Sequence, residues 1–139
     1  MIQLEAEEIM HLKVECSESL EVKEGIDGYL RVIPIRGGTF EGRIKGTIVN
    51  GGADWNTLKP GNYAHAFAKY LLLTEDGEYI AVENEGILEE EDTRLIKTRP
   101  RFTADSKGRY GWLNRGVYVG SLKPGEGRVS VEITIYRLL

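Results

Sequence analysis

The sequence predicts an all-β chain: a single-domain antiparallel β-barrel of about eight strands spanning residues 1–139, with a strongly curved sandwich as the alternative. Three observations carry this. The chain holds 17 glycines against four prolines, the balance expected where turns, bulges and close backbone approaches punctuate a sheet. Apolar residues recur at every second position in several segments, and no long stretch follows the 3.6-residue period of a helix. The dipeptide Asp76-Gly77 stands between two apolar runs, the strongest short-range hairpin signal. Closure is favoured because about eight strands in an open sheet would leave two exposed edges.

Strands are expected near residues 9–16 and 29–36. Residues 41–49 alternate, with Gly42, Ile44, Gly46 and Ile48 on one face and Glu41, Arg43, Lys45 and Thr47 on the other. Two glycines on the apolar face require that something large packs there or that the strand bends. From Ala66 to Thr74 both faces are largely apolar: Phe67, Leu71 and Leu73 alternate with Tyr70 and Leu72. That pattern reads as a strand covered on both sides, inside by the core and outside by a neighbour. The Asp-Gly turn then leads into Tyr79-Ile80-Ala81-Val82, and further strands are expected at 94–103 and 112–120. Glu89, Glu90, Glu91 and Asp92 mark a solvated loop. The last strand is the clearest: Val129, Val131, Ile133 and Ile135 alternate with Arg128, Ser130, Glu132 and Thr134.

Composition narrows the function. A formal net charge of -4 and a pI near 5.3 provide no basic field for nucleic acid or anionic lipid. No run approaches the roughly 20 apolar residues that span a bilayer. The glutamate-rich opening lacks the basic start of a signal peptide, and Cys16 has no cysteine partner, so a cytoplasmic location is expected.

The catalytic inventory is short. His11, His65 and Cys16 form no HExxH, CxxC or His-pair spacing, so neither a metal nor a cofactor is expected. No GxSxG elbow presents a serine, and Gly37-Gly38 lacks the Lys-Ser/Thr of a phosphate loop. Two constellations remain. Gly51-Gly52-Ala53-Asp54-Trp55 ends one strand. Arg109-Tyr110-Gly111-Trp112-Leu113-Asn114 opens another, where alternation would aim Tyr110, Trp112 and Asn114 at one space. Two amphipathic rings and an amide facing one space line a small-molecule pocket well. Filling the core is the competing role for both tryptophans, and tying a glycine turn the competing role for Asp54. The acidic run and the basic residues that follow it read as a solvated surface with complementary strands; the alternative is a cationic rim that attracts a ligand's carboxylate or phosphate, which Arg101 and Arg109, beside Phe102 and Tyr110, are the ones placed to serve.

Read in order, Pro34-Ile35-Arg36-Gly37-Gly38-Thr39-Phe40-Glu41-Gly42, Gly46-Thr47-Ile48-Val49, Gly51-Gly52-Ala53-Asp54-Trp55, Tyr70, Thr74 with Asp76-Gly77, Pro100-Arg101-Phe102, and Tyr110-Gly111-Trp112-Leu113-Asn114 with Val119-Gly120 form a specific series. From about Leu30 to the C-terminus the chain resembles the bacterial and fungal family catalogued as domain of unknown function 3237. The resemblance implies a small antiparallel barrel and directs Asp54, Trp55, Tyr70, Tyr110, Trp112 and Asn114 toward a pocket. It departs where the family shows Asp-Ala-Arg-Tyr and this chain reads Phe67-Ala68-Lys69-Tyr70.

These observations lead to an expected barrel with a pocket for a small organic molecule. If it is catalytic, metal-free proton transfer such as isomerisation, cyclisation or dehydration is the available chemistry. Asp54 would be the base, Tyr70 or Tyr110 the proton donor and Asn114 the oxyanion partner, with Trp55, Arg101, Tyr110 and Trp112 binding ligand. The alternative is a non-catalytic ligand-binding module or a homo-oligomeric assembly module joined through the outer face of residues 66–73.

Overall fold

The computed structural model describes residues 1–89, 96–126 and 129–139. Its strands are β1 (Ala6–Cys16), β2 (Leu20–Gly25), β3 (Gly28–Gly42), β4 (Gly46–Ile48), β5 (Gly52–Lys59), β6 (Tyr63–Thr74), β7 (Tyr79–Glu89), β8 (Ile96–Thr103), β9 (Tyr118–Pro124) and β10 (Ser130–Leu138). Each strand from β5 to β10 pairs antiparallel with the next, β10 pairs with β1, β1 with β3, and β3 with β5. The result is a closed eight-stranded antiparallel barrel. β2 and β4 are extra: β2 pairs with β3, and β4 bridges β3 and β6 beyond the reach of β5.

The alternating C-terminal segment behaves as its pattern predicts. Ile133 and Ile135 in β10 are buried, and the strand runs antiparallel to both β1 and β9. The Asp-Gly hairpin is present between β6 and β7. There Thr74 N donates to Glu78 O at 2.9 Å, Gly77 N donates to Thr74 O at 3.0 Å, and Gly77 takes a φ of 91°.

Two expected strands are revised. The 41–49 segment is not one strand: β3 ends at Gly42, the chain bends, and β4 begins at Gly46. A Cβ at Gly46 would lie 2.0 Å from the Leu73 carbonyl oxygen, so the glycine admits a neighbouring backbone rather than a large side chain. The expected strand 112–120 is instead a 3-10 helix, η1 (Gly111–Arg115), followed by β9. The cause is local. Gly111 N donates to Gly108 O and Leu113 N to Tyr110 O, so a tight i to i+3 turn replaces extended backbone. Glu89, expected in the acidic loop, instead ends β7, paired with Tyr63; the rest of that run at 90–92, with Arg94, and Arg128 at the start of the last alternating run lie outside the described residues.

The core divides the barrel into unlike ends. Ile9, Met10, Phe40, Ile80, Phe102 and Leu113 close one end, where the Phe102 and Tyr118 rings meet edge to face at 5.1 Å. Toward the other end, where the β5–β6 and β9–β10 connections lie, the wall continues and the packed core does not.

Candidate functional site

The open end of the barrel encloses a cavity of about 300 Å³. Its wall is two-faced. Val14 on β1, Ile33 and Ile35 on β3, Leu122 on β9, and Val131 and Ile133 on β10 supply apolar surface. Asp54 and Asn56 on β5, Tyr70 on β6, Asn84 on β7 and Thr98 on β8 supply polar groups across four consecutive strands. Period two explains the grouping. Positions 54 and 56 share the inward face of β5, 66, 68 and 70 that of β6, and 80, 82, 84 and 86 that of β7.

Asp54 is held by its neighbours. Its Oδ1 accepts from the Phe67 backbone N–H at 3.0 Å, and the Asn56 amide, two positions along the same strand face, favours the charged carboxylate. Asn56 is oriented in turn by Arg31, whose Nε donates to Asn56 Oδ1 at 3.2 Å. Burial pushes the Asp54 carboxyl above its ordinary 3.8, and the Phe67 bond, the Asn56 amide and the charges of Arg31 and His65 pull it back only in part. Burial also drives the Tyr70 hydroxyl well above the usual phenol range, so its proton stays on. The Cys16 thiol, on the same wall, is raised by burial and by the Asp54 charge. Gly52 makes this proximity possible, because a Cβ there would lie 2.5 Å from the Cβ of Tyr70.

Of the residues singled out in the sequence, the fold brings Asp54 and Tyr70 together in the lumen and sends the others elsewhere. Trp55, next to Asp54 on a strand, points outward and is 53% exposed. Arg101 is exposed on the outer face of β8, paired in register with Glu83. Tyr110, Trp112 and Asn114 share no face, because the 3-10 turn fans them apart at the closed end. Tyr110 is buried and its hydroxyl donates to Asp76 Oδ1 at 2.8 Å. Trp112 lies under the guanidinium of Arg43 at 4.8 Å and that of Arg137 at 5.5 Å from the ring centroid. Asn114 exchanges two hydrogen bonds of 2.8 Å with the backbone of Ala104, which ties the helix to the end of β8.

The sequence reading missed Arg31, Asn56, Asn84 and Thr98. A signal existed for the last two. Asn84 interrupts the inward series Ile80, Val82, and Thr98 interrupts the series Ile96, Pro100, Phe102; a polar residue on an otherwise apolar strand face is worth singling out. Both histidines lie outside the lumen: His11 Nδ1 is 3.1 Å from Thr134 Oγ1, and His65 Nε2 is 3.0 Å from Glu85 Oε2. The His65 hydrogen bond, helped by Arg99, holds the Glu85 carboxyl below its ordinary value. Among the described residues no three His, Cys, Asp or Glu side chains come together as a metal site, and no helix is long and apolar enough to cross a membrane.

The family described as "Protein of unknown function (DUF3237)" matches residues 4–138, extending the likeness seen in the sequence back through β1 and β2. The chain belongs to this family. A UPF0311 protein of Bradyrhizobium diazoefficiens is 33% identical over 121 residues, covering 76% of this chain and 79% of that one. A UPF0311 protein of Rhodopseudomonas palustris strain TIE-1 is 34% identical over 122 residues, with the same coverage. The crystal structure of a conserved protein of unknown function from Rhodopseudomonas palustris superposes with a TM-score of 0.88 at 29% identity, covering 100% of both chains. A β-barrel-like protein from Acinetobacter baumannii gives 0.86 at 29% identity, covering 100% of this chain and 98% of that one. In this DUF3237 barrel the departure from Asp-Ala-Arg-Tyr falls outside the lumen: Phe67 and Lys69 face outward, where Lys69 Nζ lies 3.5 Å from Glu83, and Tyr70 keeps its inward place.

Proposed function

We propose that the open lumen binds a small organic molecule and that Asp54, with Tyr70 beside it, moves a proton on that molecule. One observation carries the reading: a carboxylate oriented by the Phe67 backbone lines the same 300 Å³ cavity as a buried phenol and an apolar wall. Burial favours the protonated acid, so less driving force is lost when Asp54 takes a proton from a weak carbon or hydroxyl acid. Tyr70, which keeps its proton, is suited to donate a hydrogen bond to oxygen that gains negative charge. Isomerisation, cyclisation and dehydration can each run on this pair: the proton Asp54 takes is returned by it to another atom of the same molecule, in a dehydration to the departing hydroxyl, which leaves as water. Asn114, expected as oxyanion partner, is committed to Ala104 at the other end, which leaves the Tyr70 hydroxyl as the lumen donor for that role.

Ligands found by native mass spectrometry should shift the NMR signals of Ala66, Ala68 and Val131 and leave those of η1 in place. Mass spectrometry in D2O should then show deuterium entering the bound ligand with the wild type and not with Asp54→Asn. Binding at η1 instead would overturn the site, and undiminished exchange in Asp54→Asn would remove Asp54 from the chemistry.

A second reading, assembly without turnover, is favoured by the outer surface. Trp55, Leu71 and Tyr79, on β5, β6 and β7, are 53%, 42% and 60% exposed on the outside of the barrel, and a second copy of the chain would cover them. Sedimentation should show a homo-oligomer that Trp55→Ser with Leu71→Ser dissociates. A wild-type monomer at micromolar concentration would sink this reading.

A further inference from the structure

The polar atoms that the barrel buries without pairing indicate the ligand's chemistry. Tyr70 Oη, Asn84 Oδ1 and Thr98 Oγ1 are buried and, among the described residues, have no hydrogen-bond partner. All three residues line the same lumen. They sit on adjacent strands. Ala68 of β6 stands opposite Asn84 and Gly86 of β7 opposite Thr98, so small residues clear the space in front of them. Buried polar groups nearly always find partners, and leaving one unpaired costs stability. Here three such costs fall in one cavity, next to a face where Ile80 and Val82 show that aliphatic side chains fit.

The three atoms differ in what they ask for. Asn84 Oδ1 only accepts. The Tyr70 hydroxyl, which holds its proton, donates, and the Thr98 hydroxyl does either. One hydroxyl group on a ligand answers two of them at once, donating to Asn84 and accepting from Tyr70. Charge narrows the class further. Asp54 is the acid on the same wall, and the one cation among the described lining residues, Arg31, already donates its Nε to Asn56. Arg31 sits on β3, opposite Asn56, and none of the described lining residues of β6, β7 and β8 is a cation, so a carboxylate or phosphate bonded to Tyr70, Asn84 and Thr98 would face Asp54 with no positive charge on those strands.

We propose that Tyr70, Asn84 and Thr98 form a recognition band for an uncharged ligand that carries a hydroxyl on one edge of an apolar body. The hydroxyl meets β6 to β8 and the body lies against β1, β9 and β10. This inference rests on the lumen being the binding pocket. It also explains why the barrel keeps three unpaired groups: they weaken the empty fold and are satisfied on binding.

The test uses 4-tert-butylphenol, tert-butylbenzene and 4-tert-butylbenzoate, which share a body and differ in one group. They are titrated by NMR at pH 7 into the full chain and into Tyr70→Phe, Thr98→Val and Asn84→Leu. In the wild type the phenol should bind about tenfold tighter than either other probe, the worth of one or two net hydrogen bonds. Each variant should erode that preference, keep the hydrocarbon within about twofold, and melt no lower than the wild type, because each replaces an unpaired polar group with an apolar one of similar size. Should Asn84→Leu fail to fold, the other two, which keep the shape of the side chain, carry the comparison. Equal binding of phenol and hydrocarbon, preference for the benzoate, an unchanged phenol preference in the variants, or lowered melting in all of them would overturn the band while lumen shifts left the pocket standing. If no probe shifts the lumen signals, pocket and band fall together.

Discussion

The two ends of the barrel treat polar side chains in opposite ways. At the closed end polar groups are spent on the fold. Asp76 accepts from Thr74 Oγ1 at 2.6 Å and from the Tyr110 hydroxyl at 2.8 Å, Thr74 Oγ1 accepts from Glu78 N, and Asn114 is doubly bonded to Ala104. At the open end Asp54 is oriented, and Tyr70, Asn84 and Thr98 are left unpaired. Two aspartates record the difference: bonds from Thr74 and Tyr110 lower the Asp76 carboxyl, whereas burial raises that of Asp54. A cluster of aromatic and polar residues therefore marks a site only if its hydrogen bonds are not already used by its neighbours.

The comparison predicts that variants at the closed end change stability and leave lumen binding alone. The largest effect is expected from Leu113→Ala. Leu113 is 1% exposed and plugs the end of the barrel, so its truncation should cost about 2–5 kcal/mol in urea unfolding. The lumen should still distinguish 4-tert-butylphenol from tert-butylbenzene. Loss of that distinction in folded Leu113→Ala would show that the ends are not independent. Tyr110→Phe should come next, at about 0.5–1.5 kcal/mol for one hydrogen bond whose acceptor remains accessible to water.

The two aspartates should also give opposite pH signatures. Asp54 has a raised folded value, so the folded state holds its proton more tightly than the unfolded chain. Acidification through the window between that value and the ordinary 3.8 should raise its contribution to stability, and Asp54→Asn should abolish this gain. Asp76 has a lowered value and stabilises the fold above 3.8. Its contribution should disappear as pH falls through the folded value, and Asp76→Asn should soften acid unfolding. Melting curves from pH 7 down to the acid transition read both signs, and equal slopes in the two variants would contradict the contrast.

Much of the fold was legible because its determinants are local. The Asp76-Gly77 turn and the alternation through Ile133 and Ile135 need only neighbouring residues to be recognised. Two residues of the candidate site, Asp54 and Tyr70, were legible for the same reason: they lie in short, distinctive segments. The rest depended on long-range facts. Alternation along β7 shows that Asn84 faces inward, but the closure of β1 onto β3 and β10 determines that it meets a cavity instead of packed side chains. The segment 110–114 misled because Gly108 and Gly111 permit a tight turn as readily as a strand entry, and the turn aims Leu113, not Trp112, into the core.

The smallest effect is expected at Trp112, the residue for which the sequence suggested a direct part in ligand binding. Its ring is half-buried on η1 and packs against the edge of the core, with Arg43 and Arg137 over the ring. Arg43 is further held by Glu7 at 2.8 Å, on the exposed surface. Such cation and ring contacts contribute about 0.5–1 kcal/mol each at exposed sites. Phenylalanine keeps a ring for the guanidiniums, so Trp112→Phe should cost less than about 1 kcal/mol. Because Trp112 does not line the lumen, the affinity for 4-tert-butylphenol should not change, whereas Tyr70→Phe at the other end should weaken it without lowering the melting temperature. Running the two aromatic variants side by side puts the contrast between the ends in one experiment. If Trp112→Phe weakens the phenol as much as Tyr70→Phe does, the ligand reaches the closed end, and the division of labour between the two ends is wrong.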